Sequence, residues 1–288
     1  MAQGVAQPEG TPGASVRRYA HVPRAPDDPG REYLPIVDRY VDATYRALAR
    51  SELVVRAAIR ARNVANAVIS HRLSDTIFPE RNGEAWLVRQ LAPRCRVVID
   101  VGANVGEWSA RVLEAAPNAR LIAYEPSASA CMAFRRRHDG RAELVDAAVG
   151  DQAGEVHFFE ETDAGETSSL VTNAKGHRRR VRMVTLDEEL DRLDVEHVDL
   201  LKIDAEGYDL HVLRGARRAL ESARVSTVQF EYNAAWAAAG STLAAAIALL
   251  EATGFELRLL RAGGLEPVDY ERYGEHFSYS NYVALKRR

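Results

Sequence analysis

The chain is poor in cysteine and in net charge, and it has no long apolar run. Its two cysteines, Cys95 and Cys131, form no C-x-x-C pair. That argues against a disulfide framework or a cysteine zinc site and makes a reducing cytoplasm the expected location. A formal net charge of −3 argues against a general nucleic-acid or anionic-membrane binder. No apolar stretch reaches the roughly 18 residues of a spanning helix. The opening MAQGVAQPEGTPGASVRR lacks the apolar centre of a secretory signal. What is present is a hydrophobic content of 47%, enough for a sizeable core in one large domain with an N-terminal appendage.

One further absence carries chemical weight. In RVVIDVGANVGEWS (96–109) an apolar strand runs through a glycine turn into a helical pattern, the usual build of a nucleotide-type pocket. The dinucleotide pattern G-x-G-x-x-G needs a middle glycine, and Asn104 stands there instead, between Gly102 and Gly106. Asp100 also puts a carboxylate at the strand end, which suits an ammonium or sulfonium cation better than a diphosphate. Glu125 closes the next strand, where an acid can accept both hydroxyls of a ribose. A ligand with a ribose, an amino-acid end and no phosphate is S-adenosylmethionine.

Residues 1–34, rich in Gly, Pro and Ala, read as a flexible tail. Residues 35–78 carry apolar positions at helical spacing and are expected to form a helical extension, either a cap, a lid or the surface of a homodimer. From 79 to 288 strands alternate with helices. Strands are expected at Arg96–Val101, Ala119–Tyr124, Ala142–Val149, Val198–Ile203, Ser226–Glu231, Phe255–Leu260 and Tyr282–Lys286. A β-excursion, Glu155–Glu160 and Arg180–Thr185, interrupts them around a loop containing TSSL. Thr185 and Glu188 have capping-box spacing. The pattern predicts an α/β fold with a mostly parallel sheet, helices on both faces and an antiparallel edge.

Several blocks resemble the FkbM-type S-adenosylmethionine-dependent methyltransferases: DVGANVGEWS (100–109), AYEPS (123–127), AAVGDQAGEV (147–156), TSSL with MVTLDEEL (167–170, 183–190), and LLKIDAEGYDLHVLRGA (200–216). The resemblance runs from about Glu84 to Leu285. It implies a class I, Rossmann-like sheet of seven strands and an enzyme that methylates hydroxyls of sugars or secondary-metabolite scaffolds. It also implies Asp100, Gly102, Asn104 and Gly106 around the methionine end of the cofactor, Glu125 and Ser127 at the ribose, and Asp146 at the adenine.

Methyl transfer needs an aligned acceptor and a place for its proton. The acceptor is expected beyond the fourth and fifth strands, where Asp204 and Glu206 stand in KIDAEGYD and Glu231 closes the next strand. Asp204 is expected nearest the acceptor, with Glu206 or Glu231 holding or deprotonating it. Glu206 also reads as a plain helix-start acid. His276, in the loop before the last strand, is the histidine alternative. A divalent metal on Asp204 and Glu231 is a further alternative, disfavoured because no tight carboxylate cluster such as D-x-D-x-D occurs. The expected partner is a small-molecule or glycoside acceptor. The competing readings are a non-catalytic binder with the same fold and a nicotinamide-dependent oxidoreductase.

Overall fold

The computed structural model describes residues 43–73, 76–160, 170 and 177–287. The expected flexible tail, residues 35–42 and most of the TSSL loop lie outside the described residues. Two compact units divide the chain, 1–61 and 62–288. In the first, residues 43–49 are helical, and helix α1 (Glu52–Arg72) begins there.

The second unit starts within α1. Leu73, just past its end, is 2% exposed and belongs to the core. The Ser70 hydroxyl meets that of Ser278 at 3.0 Å, and Arg72 pairs with Glu266 at 2.7 Å. The chain continues through α2 (Pro79–Asn82), α3 (Glu84–Leu91), β1 (Val97–Val101), α4 (Glu107–Ala115), β2 (Arg120–Tyr124) and α5 (Ala128–His138). Next come β3 (Glu143–Val145), β4 (Ala148–Val149), β5 (Gly154–Glu160) and β6 (His177–Val184). They are followed by α6 (Leu186–Arg192), β7 (Val198–Ile203), α7 (Asp209–Gly215), α8 (Arg217–Glu221) and β8 (Val225–Tyr232). The chain closes with α9 (Ala235–Ala238), α10 (Leu243–Ala252), β9 (Phe255–Arg261), β10 (Gly264–Pro267), α11 (Tyr270–Tyr273) and β11 (Ser280–Lys286).

The main sheet has the order β10-β9-β11-β8-β7-β1-β2-β3. Pairings from β3 across to β8 are parallel, and those of β11, β9 and β10 are antiparallel. This is the expected α/β architecture with two corrections. Among the described residues the sheet has eight strands rather than seven, because GLEP (264–267) forms a short edge strand on β9. The expected third strand, Ala142–Val149, is split: the Ala147 amide bonds back to the Val145 carbonyl, and β4 leaves the main sheet to pair with β6. With β5 these strands make a second, three-stranded sheet. Thr185 caps α6 as expected, its hydroxyl accepting from the Glu188 amide at 3.3 Å.

Side chains alternate across the strands, so each face has its own core. On one, Ile99, Ile203, Phe230 and Tyr282 pack with helices α7 and α10. On the other, Val98, Leu121 and Leu200 meet Trp108, Val112 and Phe134 of α4 and α5. Strand order reverses between β1 and β7, so a crevice is expected beyond the carboxyl ends of that pair.

Candidate active site

The turn after β1 is shaped by close approach of the chain to itself. Gly102 has φ +77°, and a Cβ there would stand 1.9 Å from the Asp204 carbonyl oxygen at the end of β7. The glycine thus lets the β1 and β7 termini touch. Asn104 at the tip has φ +48°, the left-handed region that asparagine tolerates. Its amide donates to Glu125 Oε2 at 2.9 Å. The other carboxylate oxygen of Glu125 accepts from the Ser127 amide at 2.7 Å. Burial raises the Glu125 pKa to about 7, against the pull of those two amides.

A row of polar residues crosses the sheet on the α4 face. Asp100 of β1 pairs in register with Lys202 of β7, and Lys202 with Gln229 of β8. One step further along, Glu231 of β8 lies opposite Asn281 of β11. Asp100 is fully buried, and its Oδ2 accepts from Ser109 Oγ at 2.6 Å. Its Oδ1 has no partner among the described residues, nor has the nearby Trp108 Nε1. Lys202 is 5% exposed, donates to Asp204 Oδ2 at 2.8 Å and lies 5.7 Å from the Trp108 ring centroid. Burial alone would lower its pKa, but Asp204, Asp100 and Glu84 reverse that, and the ammonium is held well above the ordinary lysine range. Glu84 enters from α3, accepting from Gln229 Nε2 at 2.7 Å and Asn82 Nδ2 at 3.2 Å.

Beyond β7 the chain makes a tight turn. Glu206 (φ +49°) and Gly207 (φ +94°) are both left-handed, an uncommon conformation for a glutamate. Asp209, 1% exposed at the start of α7, ties the turn by accepting from the Gly207 amide at 3.2 Å. Burial, then the nearby Asp204, pushes its pKa up to about 7. Glu231 is 8% exposed and accepts from Asn233 Nδ2 at 2.6 Å. Burial first, then Asp204, Glu206 and Asp209, hold its carboxyl well above the usual range. Tyr279, whose hydroxyl accepts from Asn82 Nδ2 at 3.5 Å, lies close to Glu231, and burial first, then Glu231, holds its phenol well above the usual range. The expected trio Asp204, Glu206 and Glu231 therefore forms one electrostatic group at the strand ends.

Of the other expected residues, Ser127 stands beside Glu125, Asp146 follows β3, and His276 lies on the opposite face of the sheet. Ser127 is the N-cap of α5, its hydroxyl accepting from the Ala130 amide at 3.3 Å and donating to Glu160 at 2.6 Å. Asp146 is exposed at the end of β3 and pairs with Arg135. His276 lies across the sheet from Glu231: it contacts Tyr232 and Tyr282, whose side chains share the opposite face with Phe230. Its Nδ1 accepts from the Ser278 amide at 3.1 Å, so Nε2 carries the proton and donates to the Tyr282 hydroxyl at 3.0 Å. Glu84, Asn82, Gln229, Asn281 and Tyr279 are site-forming residues that sequence reasoning missed. Gln229 alone carries a local signal, a polar residue inside the apolar run STVQF (226–230).

The chain matches the methyltransferase FkbM domain over residues 100–257. Among curated proteins it is 28% identical over 240 residues to the AMB antimetabolite synthetase AmbE of Pseudomonas aeruginosa, covering 67% of this chain and 11% of that protein. It is 27% identical over 146 residues to the 2-O-methyltransferase NoeI of Sinorhizobium fredii, covering 44% of this chain. The chain spans 60% of the NoeI length. Among solved structures, the methyltransferase FkbM of Methylobacillus flagellatus KT is 16% identical with a TM-score of 0.42, covering 66% of this chain and 43% of that one. Precorrin-6y C5,15-methyltransferase of Geobacter metallireducens is 15% identical with a TM-score of 0.42, covering 70% and 87%. With the family domain spanning residues 100–257 of 288, more than half of its length, this chain belongs to the FkbM methyltransferase family.

Proposed function

We propose that the protein transfers a methyl group from S-adenosylmethionine to a hydroxyl of a small-molecule acceptor, a sugar or a natural-product scaffold. The observation that carries this reading is the row Asp100, Lys202, Asp204 and Glu231 beside the β1–β7 switch point, with Glu125 at the next strand end. The residues suit the cofactor. Among the described residues, Asp100 Oδ1 is a buried acceptor without a donor, as an ammonium would require, and Trp108 Nε1 is a buried donor without an acceptor, as a carboxylate would require. The Glu125 carboxylate is pinned by two backbone amides and keeps lone pairs for two ribose hydroxyls. Asp146 stands at the end of β3, where an adenine edge would lie. When bound, the cofactor supplies a methyl group on a sulfonium.

The chain's own part is to align the hydroxyl and take its proton. Lys202 holds Asp204 in place through its 2.8 Å hydrogen bond, and Asp204 orients the acceptor. Glu231, whose raised proton affinity makes it the stronger base once ionised, receives the proton. Asn233 keeps its carboxyl fixed. The relative NoeI is named a 2-O-methyltransferase, which favours oxygen as the acceptor atom. Calorimetric titration with S-adenosylmethionine, and separately with NAD, tests the reading: the first is expected to bind and the second not. Absence of S-adenosylmethionine binding would overturn it.

A further inference from the structure

On the face of the sheet away from the carboxylate row, a cavity of about 200 Å³ opens between the end of α1, the β9–β10 hairpin and the 268–276 segment. Pockets for drug-sized ligands run to about 300–1,000 Å³, so this one suits a single small ring rather than a nucleoside cofactor. Leu73, Leu259 and Val268 form apolar wall, and Tyr270 and Tyr273 add half-buried aromatic surface. Its two guanidiniums are already matched: Arg72 pairs with Glu266 at 2.7 Å and Arg272 with Asp269 at 3.6 Å. The lining is therefore close to neutral and offers no free charge for an anionic or cationic ligand.

One hydrogen-bond donor is left over. His276 Nδ1 accepts from the Ser278 amide, so Nε2 must donate to the Tyr282 oxygen. The Tyr282 hydroxyl hydrogen then has no acceptor among the described residues, although the side chain is only 2% exposed. Both residues line the cavity. A buried phenol of this kind calls for an acceptor oxygen. The cavity lies at the same strand end as the proposed site, on the other face of the sheet: His276 sits edge-on to Tyr232 at 4.9 Å between ring centroids, and Tyr232 and Glu231 are the last two residues of β8.

We propose that this cavity is an acceptor subsite that anchors one uncharged, hydroxyl-bearing ring, with Tyr270 and Tyr273 against its faces and Tyr282 donating to one of its oxygens. Its assignment to the acceptor rests on the methyl-transfer reading; the binding itself does not. The shared chemistry could come from a sugar unit or from a phenol, and the test has an arm for each. Saturation-transfer NMR on the full chain, without cofactor, would use methyl glucoside in one arm and catechol in the other. Each probe would stand at about 10 mM, where a Kd of order 1 mM registers. One probe is expected to show transfer, and Tyr273→Ala and Tyr282→Phe are each expected to weaken it about tenfold. Both variants should bind S-adenosylmethionine as the unsubstituted chain does, which shows that they fold. Transfer to neither probe, or transfer unchanged in both variants, would overturn the subsite. Cofactor binding without ring binding removes the subsite alone, and ring binding without cofactor binding removes the methyl-transfer reading alone.

Discussion

Lys202 and Asp204 lie two residues apart on the same side of the β7 end, joined by a 2.8 Å hydrogen bond in which the buried ammonium is the donor. The pair sits at the point where β1, β7 and β8 converge, with Asp100 in register on one side and Gln229 on the other. One cation thus stands among Asp100, Asp204 and Glu84, all of which raise its proton affinity.

Removing that cation leaves buried carboxylates without compensation. Lys202→Met should destabilise the fold by about 3–5 kcal/mol, the usual cost of breaking a buried pair from one side. Chemical denaturation would measure it. The double variant Lys202→Met with Asp204→Asn should recover a clear part of that loss. If the single variant unfolds at the same denaturant concentration as the unsubstituted chain, Lys202 is not the electrostatic centre of this face.

Glu125 makes a prediction about binding. Glu125→Ala should weaken S-adenosylmethionine at least tenfold, about 1.4 kcal/mol, while near-ultraviolet dichroism stays native-like. The pH dependence follows from its pKa of about 7. Below that value the side chain carries a proton and is a poorer acceptor for two hydroxyls. Affinity should therefore rise as pH increases through about 7 in the unsubstituted chain and stay flatter in Glu125→Gln. Equal affinity in Glu125→Ala would remove the ribose assignment.

Glu231→Gln keeps the size of the side chain and its neighbours Asn233 and Tyr279 but cannot take a proton. Single-turnover methyl transfer should slow by about 10²–10⁴, with cofactor affinity unchanged. In the unsubstituted chain the rate should fall as pH drops through the raised Glu231 pKa, and this limb should be missing from the variant. A variant with full rate would shift the proton's destination to Asp204 or to water.

The architecture was legible because its strands are short apolar runs, and the cofactor side because Asp100 and Glu125 close two successive runs. The split of the third strand was not, since Ala147, Ala148 and Val149 continue the apolar character of Leu144 and Val145; only the backbone turn at Ala147 separates them. GLEP resembles a turn, and Pro267 fits a strand only at an edge, which is where β10 lies. Glu84 and Tyr279 reach the site from far apart in sequence, through contacts that no local spacing announces. Alternation could have separated Glu231 from Tyr232, but His276 could be assigned to the Tyr232 side only once its ring contacts were known.

Asp209 links the site to stability. Its carboxyl has a pKa of about 7 in the folded chain, raised first by burial and then by Asp204 from the ordinary aspartate value of 3.8. Between those values the folded state holds a proton that the unfolded state releases. The stability this group contributes is therefore complete below about pH 4 and is lost as pH rises through 7, at up to about 1.4 kcal/mol per unit. Asp209→Asn mimics the protonated form and keeps an oxygen for the Gly207 amide. Thermal melts of both chains from pH 5 to 8 should then diverge, the variant gaining on the unsubstituted chain as pH rises. Some slope should persist in the variant, because Glu125 is shifted in the same direction. Parallel curves would mean that the Asp209 carboxyl ionises in the folded state at little cost. The turn at Glu206 and Gly207 would then be held by the hydrogen bonds of an ionised carboxylate, and the variant, which loses one acceptor oxygen, should melt lower at every pH.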